Sequence, residues 1–324
     1  MAISRDDSLR KFCSLWERAP VIERQEPLRL GQANDGIVVY HLKQWESPDR
    51  DEESQCDWIP MRVVRKRTRQ EAEFQFAQVL ERKFWEGRQP RTLPDVYMTW
   101  RGNAGMELFV EYVPGIVRRP LRTRRKEALD LASALAEVRT LEFPGCEEVD
   151  VKRVLRARGR RIKSWNSEGF AKPLDLEGIH DIGRFAATKV KTDRSVFCHN
   201  DVGWPNCSLT PRRGARARII DFALMGYNTE GAELHHFLAY ALRCDKLRFF
   251  DHLITACAEK WRVDADVLRW GCIEFTVYRG LQRIHRMWKG GDREKAAREA
   301  MWLRDLPRVI DESSLPEPGR GFDE

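Results

Sequence analysis

No window of the 324-residue sequence approaches 18 uninterrupted apolar residues, so no transmembrane helix is expected. The opening MAISRDDSLRKFCSLWERAP lacks the apolar core of a secretory signal, and a cytoplasmic protein is expected. The eight cysteines stand singly, without a C-x-x-C pair or the Cys/His spacing of a zinc site. They read as reduced thiols, mostly small core fillers. There is no internal repeat, and no helix-turn-helix, zinc-finger or aromatic RNA-binding signature, so nucleic acid is not an expected partner.

The length does allow a well-buried core, more readily as two packed lobes than as one unit. A net charge of +7 is modest for this size but uneven, with basic runs RRPLRTRRK at 118–126 and KRVLRARGRRIK at 152–163. A solvated helix face is the first reading of such runs. A docking surface for an anionic partner is the alternative, because clustered Lys and Arg raise the local concentration of anions.

Along the chain, IVVYHLK (37–43) and MRVVRK (61–66) have strand-like β-branched content, and RQEAEFQFAQVLERKFW (69–85) carries apolar residues at helical spacing. DVYMTWR (95–101) and ELFVEYV (107–113) are two more strands, the second stopped by Pro-Gly. After Gly115 the pattern turns helical, as in RRKEALDLASALAEVRTL (124–141), where Leu131, Leu135 and Val138 share a face. Helices are also expected at 150–165, at DIGRFAATKV, and from GAELHHFLAYAL to about Val309. The polar tail, rich in Pro and Gly, is expected to fray.

The chemistry concentrates in VFCHNDVGWPNCSLTPRRGARARIIDFALMGY (196–227). Asp201 is followed, after four intervening residues, by Asn206, and Asp221 comes after the apolar run RII. Such groups at strand ends are costly to bury unless paired, and a metal ion is the expected partner. Phosphoryl transfer needs Mg²⁺ to neutralise phosphate charge, oxygen ligands to hold it, and a carboxylate to orient the attacking hydroxyl. Asp and Asn oxygens suit Mg²⁺, and this trio supplies each role.

HNDVGWPN resembles the catalytic loop of the aminoglycoside phosphotransferase and choline kinase family: His, any residue, Asp, four residues, Asn. The resemblance spans about 28–310 and is dense at 196–240. It implies an α+β, two-lobed protein-kinase-like fold, with a small antiparallel-sheet lobe carrying one helix (1–113), a larger mainly helical lobe (114–313) and a flexible tail (314–324). It makes Asp201 the catalytic base or hydroxyl-orienting residue, Asn206 and Asp221 the Mg²⁺ ligands, and His199 a structural prop. Glu233 braces the loop. LFVEYVPG (108–115) resembles the hinge, where backbone groups of Glu111 and Val113 meet adenine. RLGQANDGIVVY resembles the nucleotide loop, with Gly31 and Asn34 in matching places and Gln32 where a second glycine is usual. In RVVRKRT the register favours Arg65 as the cation on the phosphates and leaves Lys66 open, since alternation lets only one face the cleft. Glu73 is the expected helix partner, in preference to Glu71.

The resemblance implies transfer of the γ-phosphoryl of ATP or GTP to a hydroxyl of a small molecule. The acceptor stretch TVYRGLQRIHRMWKGGDREK (276–295) is basic, which argues against strongly cationic antibiotics and toward a neutral or anionic hydroxyl compound, with a sugar, an amino alcohol or an antibiotic-like compound as the expected acceptor. Arg279, Arg283 and Arg286 share a helix face there, either as a solvated stripe or as an anion-facing one. Two alternatives stand beside it: a kinase of a lipopolysaccharide-type glycan or other large anionic acceptor, and a nucleotide-binding pseudo-kinase acting as an interaction module.

Overall fold

The computed structural model describes residues 7–16, 21–27, 37–43, 62–103, 105–115, 125–141, 146–190, 194–209 and 217–310. Gly31 and Asn34, most of the run 118–126 and the tail 314–324 lie outside the described residues. The architecture is α+β and the chain divides into two compact units: residues 1–115 with 212–214 and 218–223, and residues 116–211, 215–217 and 224–324.

The first unit runs α1 (Asp7–Cys13), β1 (Val21–Pro27), β2 (Ile37–Lys43), β3 (Arg62–Thr68), α2 (Glu71–Trp85), β4 (Val96–Gly102) and β5 (Gly105–Glu111). Its sheet is antiparallel in the order β1-β2-β3-β5-β4. In β3 the period-two alternation puts Val63 and Arg65 on one face and Lys66 on the other. The first face joins a core of Leu9 and Phe12 from α1 with Tyr40, Leu42, Val63 and Phe109. α2 buries Phe74, Phe76, Ala77 and Leu80 together with Glu73. The strand, strand, helix, strand, strand order read from the sequence is present, preceded by α1 and β1, which that reading missed. Their signals are weak for a physical reason: β1 is an edge strand whose side chains are almost all exposed, and a seven-residue helix is too short to show a period.

The second unit contains α3 (Arg125–Arg139), α4 (Val151–Ser167), α5 (Glu177–Lys189), β6 (Val196–Cys198), β7 (Cys207–Ser208), then, past the 218–223 segment with β8 (Arg218–Ile219), β9 (Gly226–Asn228), α6 (His235–Cys244), α7 (Leu247–Trp261), α8 (Ala265–Lys289) and α9 (Arg293–Leu303). Leu131, Leu135 and Val138 of α3 are buried as their spacing predicts, and so are Val151, Leu155 and Ile162 of α4. Asp150 caps α4 by accepting the Arg153 N–H at 2.9 Å. β6 and β9 pair antiparallel. The segment before α6 crosses α8 at backbone contact: Gly231 has φ +80, and a Cβ on Gly271 would collide with the Glu230 carbonyl oxygen. Only glycine fits that approach. No helix among the described residues is long and apolar enough to cross a membrane.

Candidate active site

In the second unit, the turn after β6 is held by three successive anchors. The His199 N–H donates to Glu233 Oε1 at 2.7 Å, and both residues are fully buried. Asn200 sits in the left-handed region at φ 64, and its amide donates to the carbonyls of Leu224 (3.0 Å) and Gly226 (3.1 Å). A left-handed Asn is tolerated because its short polar side chain bonds locally. Asp201 then presents its carboxylate with the side chain one-third exposed (33%). His236 Nε2 lies 2.9 Å from Oδ1, and Asn206 Nδ2 donates to the Asp201 carbonyl at 2.8 Å and to Oδ2 at 3.2 Å. Burial pushes the Asp201 carboxyl up, but the His236 hydrogen bond, the charges of His236 and His199, and the Asn206 amide outweigh it and leave its pKa below the ordinary value. Asp201 is therefore an ionised acceptor at neutral pH. Glu233 is the opposite case. Burial raises its pKa to about 7, against the His199 N–H and Arg139.

In the first unit, Lys66 Nζ bonds Glu73 Oε1 at 2.6 Å and Asp221 Oδ1 at 2.7 Å, across 155 residues of sequence. Burial would lower the Lys66 pKa, but Asp221 and Glu73 together hold it above its usual value, so the ammonium is firmly charged. Asp221 itself takes φ 65, a strained conformation for a carboxylate-bearing residue. The leaning to Arg65 is corrected here. Arg65 points to the opposite face of β3 and forks onto buried Glu107 (Nε to Oε2 3.0 Å, Nη2 to Oε1 2.7 Å), with Nη1 on the Tyr40 hydroxyl at 3.2 Å. Arg67 and Ser8 share the same carboxylate. Burial works against ionisation of Glu107, and these donors more than offset it.

Glu111, expected to offer backbone groups to adenine, uses its N–H on the Asp95 carbonyl at 2.8 Å. Its buried side chain forks onto Arg218, which also donates to the Leu93 carbonyl at 2.9 Å. Val113 is buried just beyond β5. Arg218 was not singled out from the sequence, yet it ties β8 to β5 and so fixes where Asp221, three residues on, begins. The Ile219 N–H on the Thr92 carbonyl (2.8 Å) and Phe76 against Phe222 (5.3 Å) complete that attachment.

Neither a family model nor a curated protein matches the sequence. Solved structures do. The GDP complex of wild-type aminoglycoside 2'-phosphotransferase-IIIa superposes with a TM-score of 0.58 at 14% identity, over 89% of this chain and 93% of that one. A choline kinase from Cryptosporidium parvum Iowa II gives 0.56 at 14%, over 90% and 91%. Macrolide 2'-phosphotransferase type I gives 0.55 at 12%, over 94% and 98%. The fold is protein-kinase-like.

Within this kinase-like fold, the residues that sequence reasoning missed are Arg218 and His236. His236 follows Glu233 by one helical turn in AELHHFL, and a doubled His at a helix start was the signal available. Trp204, in the loop after Asp201, is buried against Phe237, Tyr240 and Phe249. The oxygens present suit Mg²⁺. Asn206 spends its amide nitrogen on Asp201, which leaves Oδ1 without a hydrogen bond among the described residues. Asp221 commits Oδ1 to Lys66, and its side chain is 41% exposed. Each by itself, a carboxamide oxygen and an exposed carboxylate, is the kind of hard oxygen donor that Mg²⁺ takes, and among the described residues no three His, Cys, Asp or Glu side chains cluster as a closed cage.

Proposed function

We infer that the chain is a phosphotransferase that moves the γ-phosphoryl of ATP or GTP to a hydroxyl of a small molecule, with Mg²⁺ bound alongside the nucleotide. The observation that carries this reading is the Lys66 junction, where a charged ammonium meets a buried helix glutamate and a left-handed aspartate. A surface charge pair has no need to bury Glu73 to 3% exposure or to hold Asp221 at φ 65. Lys66 takes the phosphate-contacting role, Glu73 positions it, and Asn206 and Asp221 are the metal ligands. Glu111 lines the adenine position through its carbonyl, its N–H being taken by Asp95, and Val113 through backbone groups. The Mg²⁺ supplies charge neutralisation on the transferring phosphates. Asp201, ionised and held by His236 and Asn206, accepts the hydrogen bond of the acceptor hydroxyl and takes its proton. The acceptor oxygen bonds the γ-phosphorus as the bond from that phosphorus to the bridging oxygen breaks, which releases the nucleoside diphosphate. His199 and Glu233 hold the loop from behind.

An arginine in the lysine position would favour the pseudo-kinase alternative, whereas the cation of β3 that meets Glu73 is Lys66. The large-acceptor alternative keeps one supporting observation: Lys152, Arg153, Arg156, Arg160, Arg161 and Lys163 are all exposed on α4, a helix without a single acidic residue. The test is a transfer screen. The protein, Mg²⁺ and ATP or GTP are incubated with pooled sugars, amino alcohols, aminoglycosides and an envelope glycan extract, with Asp201→Ala as blank. An acceptor gaining one phosphoryl group only with the wild type is the expected result. Absence of Mg-nucleotide binding would remove the basis of the reading.

A further inference from the structure

Resting on the phosphotransfer reading, the geometry points to an oxyanion subsite on α8, where Arg279, Arg283 and Arg286 receive a phosphate or carboxylate group carried by the acceptor itself. The three arginines stand at i, i+4 and i+7 and so share a face of the helix. Their basic neighbours are already matched. His285 and Lys289 both meet Glu168, at 2.8 and 2.9 Å, and buried Glu274 is taken by Arg158 at 2.8 Å. The triad is not matched among the described residues. Arg279 donates to neutral Gln282 Oε1 at 2.9 Å. Arg283 comes no nearer than 3.6 Å to Glu299, a carboxylate that Arg243 already holds at 2.6 Å. Among the described residues, the three guanidinium groups therefore share at most a fraction of one carboxylate.

Contacts trace this face to the catalytic loop. Asp201 is bonded to His236, whose ring lies 3.9 Å from that of His235; the His235 ring meets Phe275 at 4.8 Å, and Arg279 is one turn beyond Phe275. A solvated stripe would extend its charges into water. Arg279 is instead half-buried. Burial first, then repulsion from Arg283 and Arg286, pull its pKa below the ordinary value, while Asp201 acts the other way. A cationic cluster that opens from half-buried Arg279 through Arg283 to exposed Arg286 is stabilised by an oxyanion accepting forked guanidinium hydrogen bonds. The same field opposes a polycationic acceptor. Substrate selection by this face thus favours a hydroxyl compound bearing an oxyanion over an amine.

The experiment uses the full chain without nucleotide. Binding of inorganic phosphate and of acetate is measured by calorimetry, and phenylglyoxal modification with peptide mapping identifies which arginines each anion protects. Expected are protection of Arg279 and Arg283, an affinity loss of about tenfold or more in Arg279→Met, and partial recovery in Arg279→Lys. The anion that binds more tightly identifies the source chemistry, phosphate or carboxylate. Unchanged phosphate and acetate affinity in Arg279→Met and Arg283→Met, or protection confined to other arginines, would overturn the subsite. So would competition between ATP and phosphate at Arg279, which would assign the cluster to the nucleotide. Mg-nucleotide binding, measured separately on the wild type and the same variants, distinguishes the two failures: its absence in the wild type refutes the kinase reading, whereas its presence beside absent anion protection refutes the subsite alone.

Discussion

Replacing Glu233 by glutamine tests the buried brace of the catalytic loop through its proton. Glu233 has no exposed surface, and only Oε1 has a hydrogen-bond partner, the His199 N–H at 2.7 Å; Oε2 has none among the described residues. Burial is the largest influence on its carboxyl and nearby Glu230 adds to it, so the pKa rises from 4.5 to about 7 against the pull of the His199 N–H and Arg139. The folded state therefore holds a proton that the unfolded chain releases between those two values. The sign follows: the favourable contribution of the protonated acid is complete below pH 4.5 and is lost as pH rises through about 7. At about 1.4 kcal/mol per tenfold change in proton affinity, the loss comes to about 3 kcal/mol, most of it between pH 5 and 8. Glu233→Gln keeps an oxygen for the His199 N–H and cannot titrate. Urea unfolding of both proteins at pH 5 and pH 8 should show the variant gaining about 2–3 kcal/mol on the wild type over that interval. An unchanged stability difference at the two pH values would refute the argument, because it would mean that Glu233 stays ionised in the folded protein.

The two neighbouring cations of β3 should fail in different ways. Lys66→Met should lower kcat/KM for the nucleotide by about 10²-fold or more, seen in steady-state kinetics, with some loss of stability because buried Glu73 loses its ammonium partner. Arg65→Met leaves buried Glu107 without its forked partner and should cost about 3 kcal/mol or more of stability, read by denaturant unfolding, with nucleotide affinity intact in the folded fraction. Asp201→Asn should reduce kcat by about 10²–10⁴-fold while nucleoside diphosphate binding, followed by calorimetry, stays unchanged. Arg218→Ala should destabilise by about 3–5 kcal/mol and also weaken Mg²⁺-nucleotide binding, since the strand that leads to Asp221 loses its anchor on Glu111.

Parts of the fold and the candidate site were legible because they depend on local pattern. The β-branched runs of β2 and β3, the apolar spacing of α2, α3 and α4, and the Asp201, Asn206 and Asp221 spacing all sit within windows a helix turn or a loop can span. Glu73 was legible in the same way, from its place in the first turn of α2. β1 was not, because an exposed edge strand has no buried face to impose alternation.

The sequence by itself determined that Arg65 and Lys66 point to opposite faces of one strand, since alternation is a property of the backbone. Which face is which was decided by partners far along the chain. Glu107 and Tyr40 claim Arg65, while Glu73 and Asp221 claim Lys66. Likewise, composition placed a basic stripe on α8, but only the packed structure shows that Glu168 neutralises one side of it and leaves Arg279 half-buried beside a neutral partner. Charge pairing and burial depend on distances between segments brought together by folding. A linear sequence names the charges, and the tertiary fold decides which of them stay unmatched.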